Sequence, residues 1–326
     1  MNRRPFTCSK SVNGMGLDVL TEDSLLQIHL ATLEVLETIG VRMNEDEALQ
    51  IMADHGANVD FETKIVKLPA YMVEDAIRSA PRQFTLKGRT PKDSVIVGAG
   101  RSMVVPFGIG INVLDPYTQK ARPSTYEDLK NITKAVDCLD DIDVQFEPVT
   151  PLDRPDVSAP LYCFEAALEY STKPSIQGFE VEGDVEAYIE MLSIISGGED
   201  KIKDNPIMMG FGCPISPLTY DGHLLHSVIE FAKRGLPIMF ISMAMGGGTS
   251  PYGVSGTMIT HNAEVLSGIV LTQLVNKGNP VVYGSSTTIM DLKRGAATVG
   301  CPAQFGESVL PERSPQRGGG PVPQSH

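Results

Sequence analysis

The chain contains no tryptophan, so any aromatic surface it offers a ligand must come from 9 tyrosines and 11 phenylalanines. Basic residues are also scarce: 27 lysines and arginines stand against 40 aspartates and glutamates, a net charge of −13. No basic stripe is available to neutralise phosphates, which argues against a nucleic-acid partner. A cationic small substrate or a basic protein fits this charge, unless it serves solubility alone. The 5 cysteines, Cys8, Cys138, Cys163, Cys213 and Cys301, include no CxxC pair. Their odd number and scatter argue against a disulfide frame or a zinc site and predict free thiols in the cytoplasm. No run approaches the ~18 apolar residues of a membrane span, and the basic start MNRRPFTCSK lacks the apolar stretch of a signal peptide.

Nucleotide fingerprints are missing too. GxGxxG follows no strand candidate, and the GGGTS run at Gly246 to Ser250 is not followed by GK[ST]. What remains is an ordinary folded composition, 42% apolar and 21% charged over 326 residues.

The clearest organisation lies between Leu236 and Asp291. An apolar run bounded by Pro237 and a glycine cluster predicts a buried strand, the run from Asn262 to Lys277 predicts its crossover helix, and VVYG begins the next strand. The same rhythm extends back to Met103. Strands are expected at Met103 to Phe107, Ile142 to Glu147, Pro174 to Phe179, Ile207 to Phe211, Ile238 to Met243 and Val281 to Tyr283. Helices are expected at Thr125 to Cys138, Ala159 to Ser171, Asp184 to Ser196, Asp221 to Arg234 and His261 to Asn276. Such alternation predicts a parallel sheet with helices outside it, either an open doubly wound sheet or a barrel.

Ahead of this lies a helical region, residues 1–100. Helices are predicted from Glu22 to Ile39, capped by Thr21 and ended by Gly40, then from Glu45 to Gly56 and from Pro69 to Ser79. Short strands are expected at Phe84 to Lys87 and Ser94 to Val97. Residues 307–326, rich in proline and glycine, are expected to be disordered.

In parallel α/β folds ligands sit at the carboxyl ends of the strands. That rule collects Phe107, Gly108, Gly110 and Asn112; Glu147 and Thr150; Gln177 and Glu180; Cys213 and Ser216; Gly246 to Ser250 with Tyr252; and Tyr283, Ser285 and Ser286. The set holds no lysine and no histidine, so neither phosphate binding nor histidine acid/base chemistry is favoured. Each carboxylate has a plain structural alternative as a satisfied strand-end acceptor. His223 and His226 share the i, i+3 spacing of a metal pair, but no third ligand is near in sequence, and a solvated helix start is the simpler reading. No metal is expected.

Three segments together resemble one family: PFGIGINVLDPYTQKARPSTYEDL, DIDVQFEPVTPLDRP, and the long stretch from GGGTSPYGVSGT through NPVVYGSSTTIMDLKRGAATVG. They are similar to the trimethylamine methyltransferase family of corrinoid-dependent methyltransferases, over residues about 18 to 306. The resemblance implies a TIM (β/α)8-type barrel, incomplete here with about six of eight βα units in residues 101–306, hence a C-terminally truncated chain.

It also implies a methyl group moving from trimethylamine, or a quaternary amine such as glycine betaine, to the Co(I) of a corrinoid on a separate protein. The D-x-H-x-x-G of a corrinoid-binding module is absent, which suits a partner's cargo. In trimethylamine-specific members a pyrrolysine would follow shortly beyond the matched segment. Under this resemblance Phe107, Tyr252 and Tyr283 become candidates for a cation–π cage, and Glu147 and Glu180 for countercharges. Glu147, Glu180 and Tyr283 are the expected catalytic residues, and Phe107, Gln177, Tyr252, Ser285 and Ser286 the expected substrate contacts. Gly246, Gly247, Gly248 and Thr249 would face the docked corrinoid, with no cofactor bound by this chain itself and a homo-oligomer as a further expectation. The competing readings are an open-sheet oxidoreductase or lyase, weakened by the missing fingerprint, and a non-catalytic amine-binding protein.

Overall fold

A computed structural model describes residues 20–98, 103–106 and 108–299. Phe107, Cys8, Cys301 and the tail 307–326 lie outside the described residues. The chain order begins α1 (Glu22–Thr38), β1 (Val41–Met43), α2 (Asp46–Asp54), β2 (Asn58–Asp60), β3 (Ile65–Lys67), α3 (Ala70–Ser79), β4 (Gln83–Leu86), β5 (Val95–Gly98), β6 (Asn112–Leu114), β7 (Ala121–Pro123), α4 (Tyr126–Cys138) and β8 (Gln145–Phe146). It continues with α5 (Ala159–Tyr170), β9 (Ser175–Gly178), α6 (Asp184–Ser196), β10 (Met208–Gly212), β11 (Thr219–Tyr220), α7 (Gly222–Lys233), β12 (Ile238–Ser242), β13 (Met245–Gly246), α8 (Val254–Val275), β14 (Val281–Ser285), β15 (Thr288–Asp291) and β16 (Ala296–Ala297). None of the helices among the described residues is long and apolar enough to cross a membrane.

These elements form two compact units. The first is built from Arg82–Phe211 and Lys233–Ile238. Its centre is a parallel ladder in which β9 pairs with β8 on one side and β10 on the other, Ile176 lying opposite both Phe146 and Met209. The Gly210 N–H donates to the carbonyl of Pro237, just ahead of the next strand, at 3.0 Å. Both β9 and β10 are buried along their whole length, as strands covered on two faces must be. Helices α4, α5 and α6 return the chain between strands, α5 packing on both of the others. The α4–α5 contact closes over Leu129, Val149, Cys163 and Ala166. α4 starts where Thr125 and Asp128 form a capping box, which satisfies donors that the first turn leaves open.

Among the described residues, the second unit comprises 20–81, Gly212–Ala232 and 239–299. It is organised around α8, which is buried on every side from His261 to Gln273 and packed by α1, α2, α3 and β14. The helices expected in the N-terminal region are present, with Thr21 accepting from the Ser24 N–H as the N-cap of α1. β1, β2, β3 and β11 make a small mixed sheet beside them, in the order β11-β1-β3-β2. β14 lies next to β12, and β13, β15 and β16 form a further three-stranded sheet.

Three sequence expectations fail, each for a physical reason. No strand forms among the described residues of Met103 to Phe107. Pro106 lacks a ladder donor, and Val104 instead exchanges bonds with the backbone and carboxylate of Asp143. That same contact ties down Asp143, so the strand expected from Ile142 is reduced to Gln145–Phe146. In contrast α8 begins at Val254, seven residues before the expected start at His261. Glycine and serine in YGVSGT weaken the local helical signal, while burial against α1 supplies what propensity does not.

Candidate functional site

The strand-end carboxylates meet in the first unit. Glu147 follows the last residue of β8 and is only 3% exposed. Its Oε1 accepts from the Thr150 hydroxyl at 3.1 Å, and the Cys163 thiol of α5 lies against it. Burial pushes its carboxyl up to about 7, and the neighbouring charge of Glu180 adds to the rise. Those two effects outweigh the bonds from Cys163 and Thr150, which pull the other way. Glu180, two residues beyond β9, is exposed, and the partial desolvation of its carboxyl displaces it upward. Its carboxylate folds back over the strand because Gly178 leaves the room: a β-carbon there would stand 2.9 Å from Glu180 Oε1 and 3.1 Å from the Phe211 ring.

Two helix residues complete this acidic cluster. Asp184, at the first turn of α6, is buried and accepts the Val181 N–H at 2.9 Å. One turn on, the Tyr188 hydroxyl is buried without a hydrogen-bond partner, and burial followed by the charges of Asp184 and Glu147 raises its pKa. Gln177, 1% exposed inside β9, likewise has a side-chain oxygen with no partner. Buried polar atoms are normally satisfied, and these two, like Ser175 Oγ and Ser196 Oγ in the same unit, are groups that ordered water could satisfy. Packing around the site is tight. Phe146 and Phe211 meet edge to face at 5.3 Å, and a β-carbon on Gly108 would lie 2.2 Å from the Phe146 ring.

The remaining candidates belong to the second unit. Tyr283, on β14, donates its hydroxyl to Asn262 Oδ1 at 3.0 Å and packs its ring edge against His261 at 5.3 Å. The Asn262 amide in turn donates to the Thr32 hydroxyl, which is bonded to the Ile28 carbonyl. Anchored at its hydroxyl, the Tyr283 ring has one orientation. His261 is 1% exposed; burial drives its pKa down to about 3, so it is neutral, with Nδ1 bonded to the Thr287 hydroxyl at 2.7 Å and Nε2 unpartnered. Ser285 accepts from the Thr287 N–H, and the Ser286 N–H donates to the Ser242 carbonyl.

The glycine loop closes on itself: the N–H groups of Gly248, Thr249 and Ser250 converge on the Met245 carbonyl, and the Gly247 N–H goes to Ser250. Gly247 has φ +80°, a conformation that glycine adopts without strain. What the loop presents outward is Tyr252, 74% exposed. Ser216 is committed elsewhere, since its hydroxyl donates to the buried Glu264, as do the Leu218 N–H and the Ser242 hydroxyl.

Glu147, Glu180 and Gln177 thus fall in one unit, and Tyr283, Ser285, Ser286, Tyr252 and Gly246 to Thr249 in the other. Sequence reasoning missed Cys163, Asp184, Tyr188, His261, Asn262 and Glu264. All six sit in or at the start of helices, where a polar residue ordinarily marks the solvent face. Only the burial of α5, α6 and α8 reveals them.

Comparison with known proteins agrees with these elements. A family model described as trimethylamine methyltransferase (MTTB) matches residues 8–311. Trimethylamine methyltransferase MttB of Desulfitobacterium hafniense is 43% identical over 89% of this chain and 59% of its own length. MttB of Methanosarcina thermophila is 38% identical over 90% and 62%, and a glycine betaine methyltransferase of D. hafniense 32% over 87% and 59%. The chain therefore spans about six tenths of the length of these curated relatives. The crystal structure of the Methanosarcina barkeri monomethylamine methyltransferase (MtmB) matches with a TM-score of 0.54 at 15% identity, covering 85% of this chain and 57% of that one. At that identity the likeness shows a shared α/β fold. Matched by the family model over nearly all its length, and by relatives at 32% to 43% identity, the chain belongs to the trimethylamine methyltransferase family.

Proposed function

We propose that this chain carries the amine-binding part of a methyltransferase that moves a methyl group from a methylated ammonium compound to a corrinoid held by a separate protein. The observation that carries this reading is the acidic cluster of Glu147, Glu180 and Asp184, in which Glu147 is nearly inaccessible to water and lifted to about 7. Glu147 and Asp184 are buried and Glu180 stands beside them at the surface; carboxylates so clustered repel one another, and a bound cation relieves that repulsion. Trimethylamine and betaines are named as substrates of the relatives, and both present a compact methylated nitrogen.

In this reading the C–N bond breaks with its electron pair going to nitrogen, and the acceptor cobalt supplies the pair for the new bond. The nitrogen must therefore be cationic for a neutral amine to leave. A quaternary amine meets this condition by itself, with Glu147 and Glu180 ionised as countercharges. A tertiary amine needs a proton, and a carboxyl that titrates near 7 is suited to hold one on the nitrogen. In the second unit, the rings of Tyr283 and Tyr252 are proposed separately as cation–π faces for a methylated ammonium group, and the loop from Gly246 to Thr249 as a surface for the corrinoid-carrying partner. The parallel strands β8, β9 and β10 are read as an arc of a (β/α)8 barrel.

Calorimetric titration tests this directly. Glycine betaine and trimethylammonium should bind the chain, and Glu147→Gln with Glu180→Gln should abolish the binding of at least one of them. Equal binding by the double variant, with its fold retained, would overturn the assignment.

A further inference from the structure

In the second unit α2 and α7 begin side by side, held there by backbone. β1 and β11 run parallel with Met43 opposite Tyr220, and the Asn44 N–H donates to the Tyr220 carbonyl at 3.2 Å. Gly222, the first residue of α7, approaches so closely that a β-carbon on it would lie 2.7 Å from the Asn44 carbonyl oxygen. Glu47 follows in the first turn of α2, and His226 and Glu230 occupy successive turns of α7 at i, i+4. One ring nitrogen and two carboxylate oxygens from these three residues all lie within 4.8 Å of one another. His223, which the sequence spacing pairs with His226, is held instead by Asp221 at 2.8 Å.

We propose that Glu47, His226 and Glu230 form a binding site for a divalent cation of the Zn2+, Co2+ or Ni2+ class. One imidazole and two carboxylates suit these ions, whereas Mg2+ and Ca2+ favour all-oxygen sets. Metal bonds of about 2.0–2.2 Å set neighbouring ligand atoms roughly 3.5 Å apart, so a small closure from the observed spacing completes the set. Glu47 is exposed and His226 and Glu230 are half-buried, which leaves the remaining positions to water. The pairing of β1 with β11 makes this arrangement a property of the scaffold. A bound ion staples the start of α2 to α7, distant from the strand-end carboxylates in sequence and independent of the amine reading.

The test is calorimetric titration of Zn2+ into the chelator-treated full chain, with thermal melts alongside. One equivalent should bind the unaltered protein and raise its Tm. His226→Ala should weaken binding at least about tenfold and remove the Tm response, and Glu47→Gln and Glu230→Gln should weaken it as well. His55→Ala, which alters an exposed histidine outside the trio, should bind as the parent does. If His226→Ala fails to fold, Glu47→Gln at the exposed position carries the test. No Zn2+ binding by the parent, or equal binding by the parent and the ligand variants, overturns the site; competition by Mg2+ at equal concentration overturns the ion class.

Discussion

Glu180 occupies the space that Gly178 leaves empty: its carboxylate oxygen lies 2.9 Å from where a β-carbon on Gly178 would stand. The absence of a side chain on β9 therefore holds a carboxylate against the strand, close enough to Glu147 for its charge to raise the Glu147 pKa. A substitution at the glycine should act on the second carboxyl through the first. Gly178→Ala is expected to swing Glu180 outward, lower the pKa of Glu147 toward its ordinary value and weaken amine binding. NMR titration of the Glu147 side chain reads the first effect, and an unchanged titration would contradict the coupling.

Glu147 also links stability to pH. Its folded pKa of about 7 lies above the ordinary 4.5, so between those values the folded state holds a proton that the unfolded state has released. Stability contributed by this group is fully present below about 4.5, falls as pH rises through the window, and levels off above about 7. At ~1.4 kcal/mol per pH unit the loss is at most about 3.5 kcal/mol. Glu147→Gln should remove this slope and be more stable than the parent above pH 7 in urea titrations. A parallel pH dependence in the two proteins would count against a raised pKa.

Tyr283 separates anchoring from cage formation. Tyr283→Phe keeps the ring but leaves the buried Asn262 Oδ1 without its donor, a cost of about 1–3 kcal/mol seen in denaturant midpoints. Tyr283→Ala removes the ring and should weaken binding of a quaternary amine as well. Unchanged calorimetric affinity in the alanine variant would exclude Tyr283 from the cage.

Close packing at α8 predicts a purely structural effect. A β-carbon on Gly268 would lie 2.5 Å from the Phe240 ring and 2.6 Å from the Tyr220 hydroxyl. Gly268→Ala is therefore expected to destabilise the protein by about 1–3 kcal/mol, despite the better helix propensity of alanine. A gain in Tm would show that the helix can move aside.

Local pattern by itself determined a good deal. Period-3.6 runs and the cap at Thr21 located helices, and continuous apolar runs such as Ile207 to Phe211 located buried strands, because hydrophobic spacing and capping chemistry act within a few residues. The rule that ligands gather at strand carboxyl ends picked out Glu147 and Glu180. Tertiary structure decided what those residues experience. Glu147 is lifted because α5 exclude water from it and Glu180 stands beside it, which no spacing encodes. His261, Asn262 and Glu264 are buried because α8 is covered on every side, and the spacing of Glu47 from His226 and Glu230 is set by a strand pairing between segments remote in sequence. Burial and long-range register are properties of the assembled core, and they convert polar residues that look like surface into groups with shifted pKa values and shared ligands.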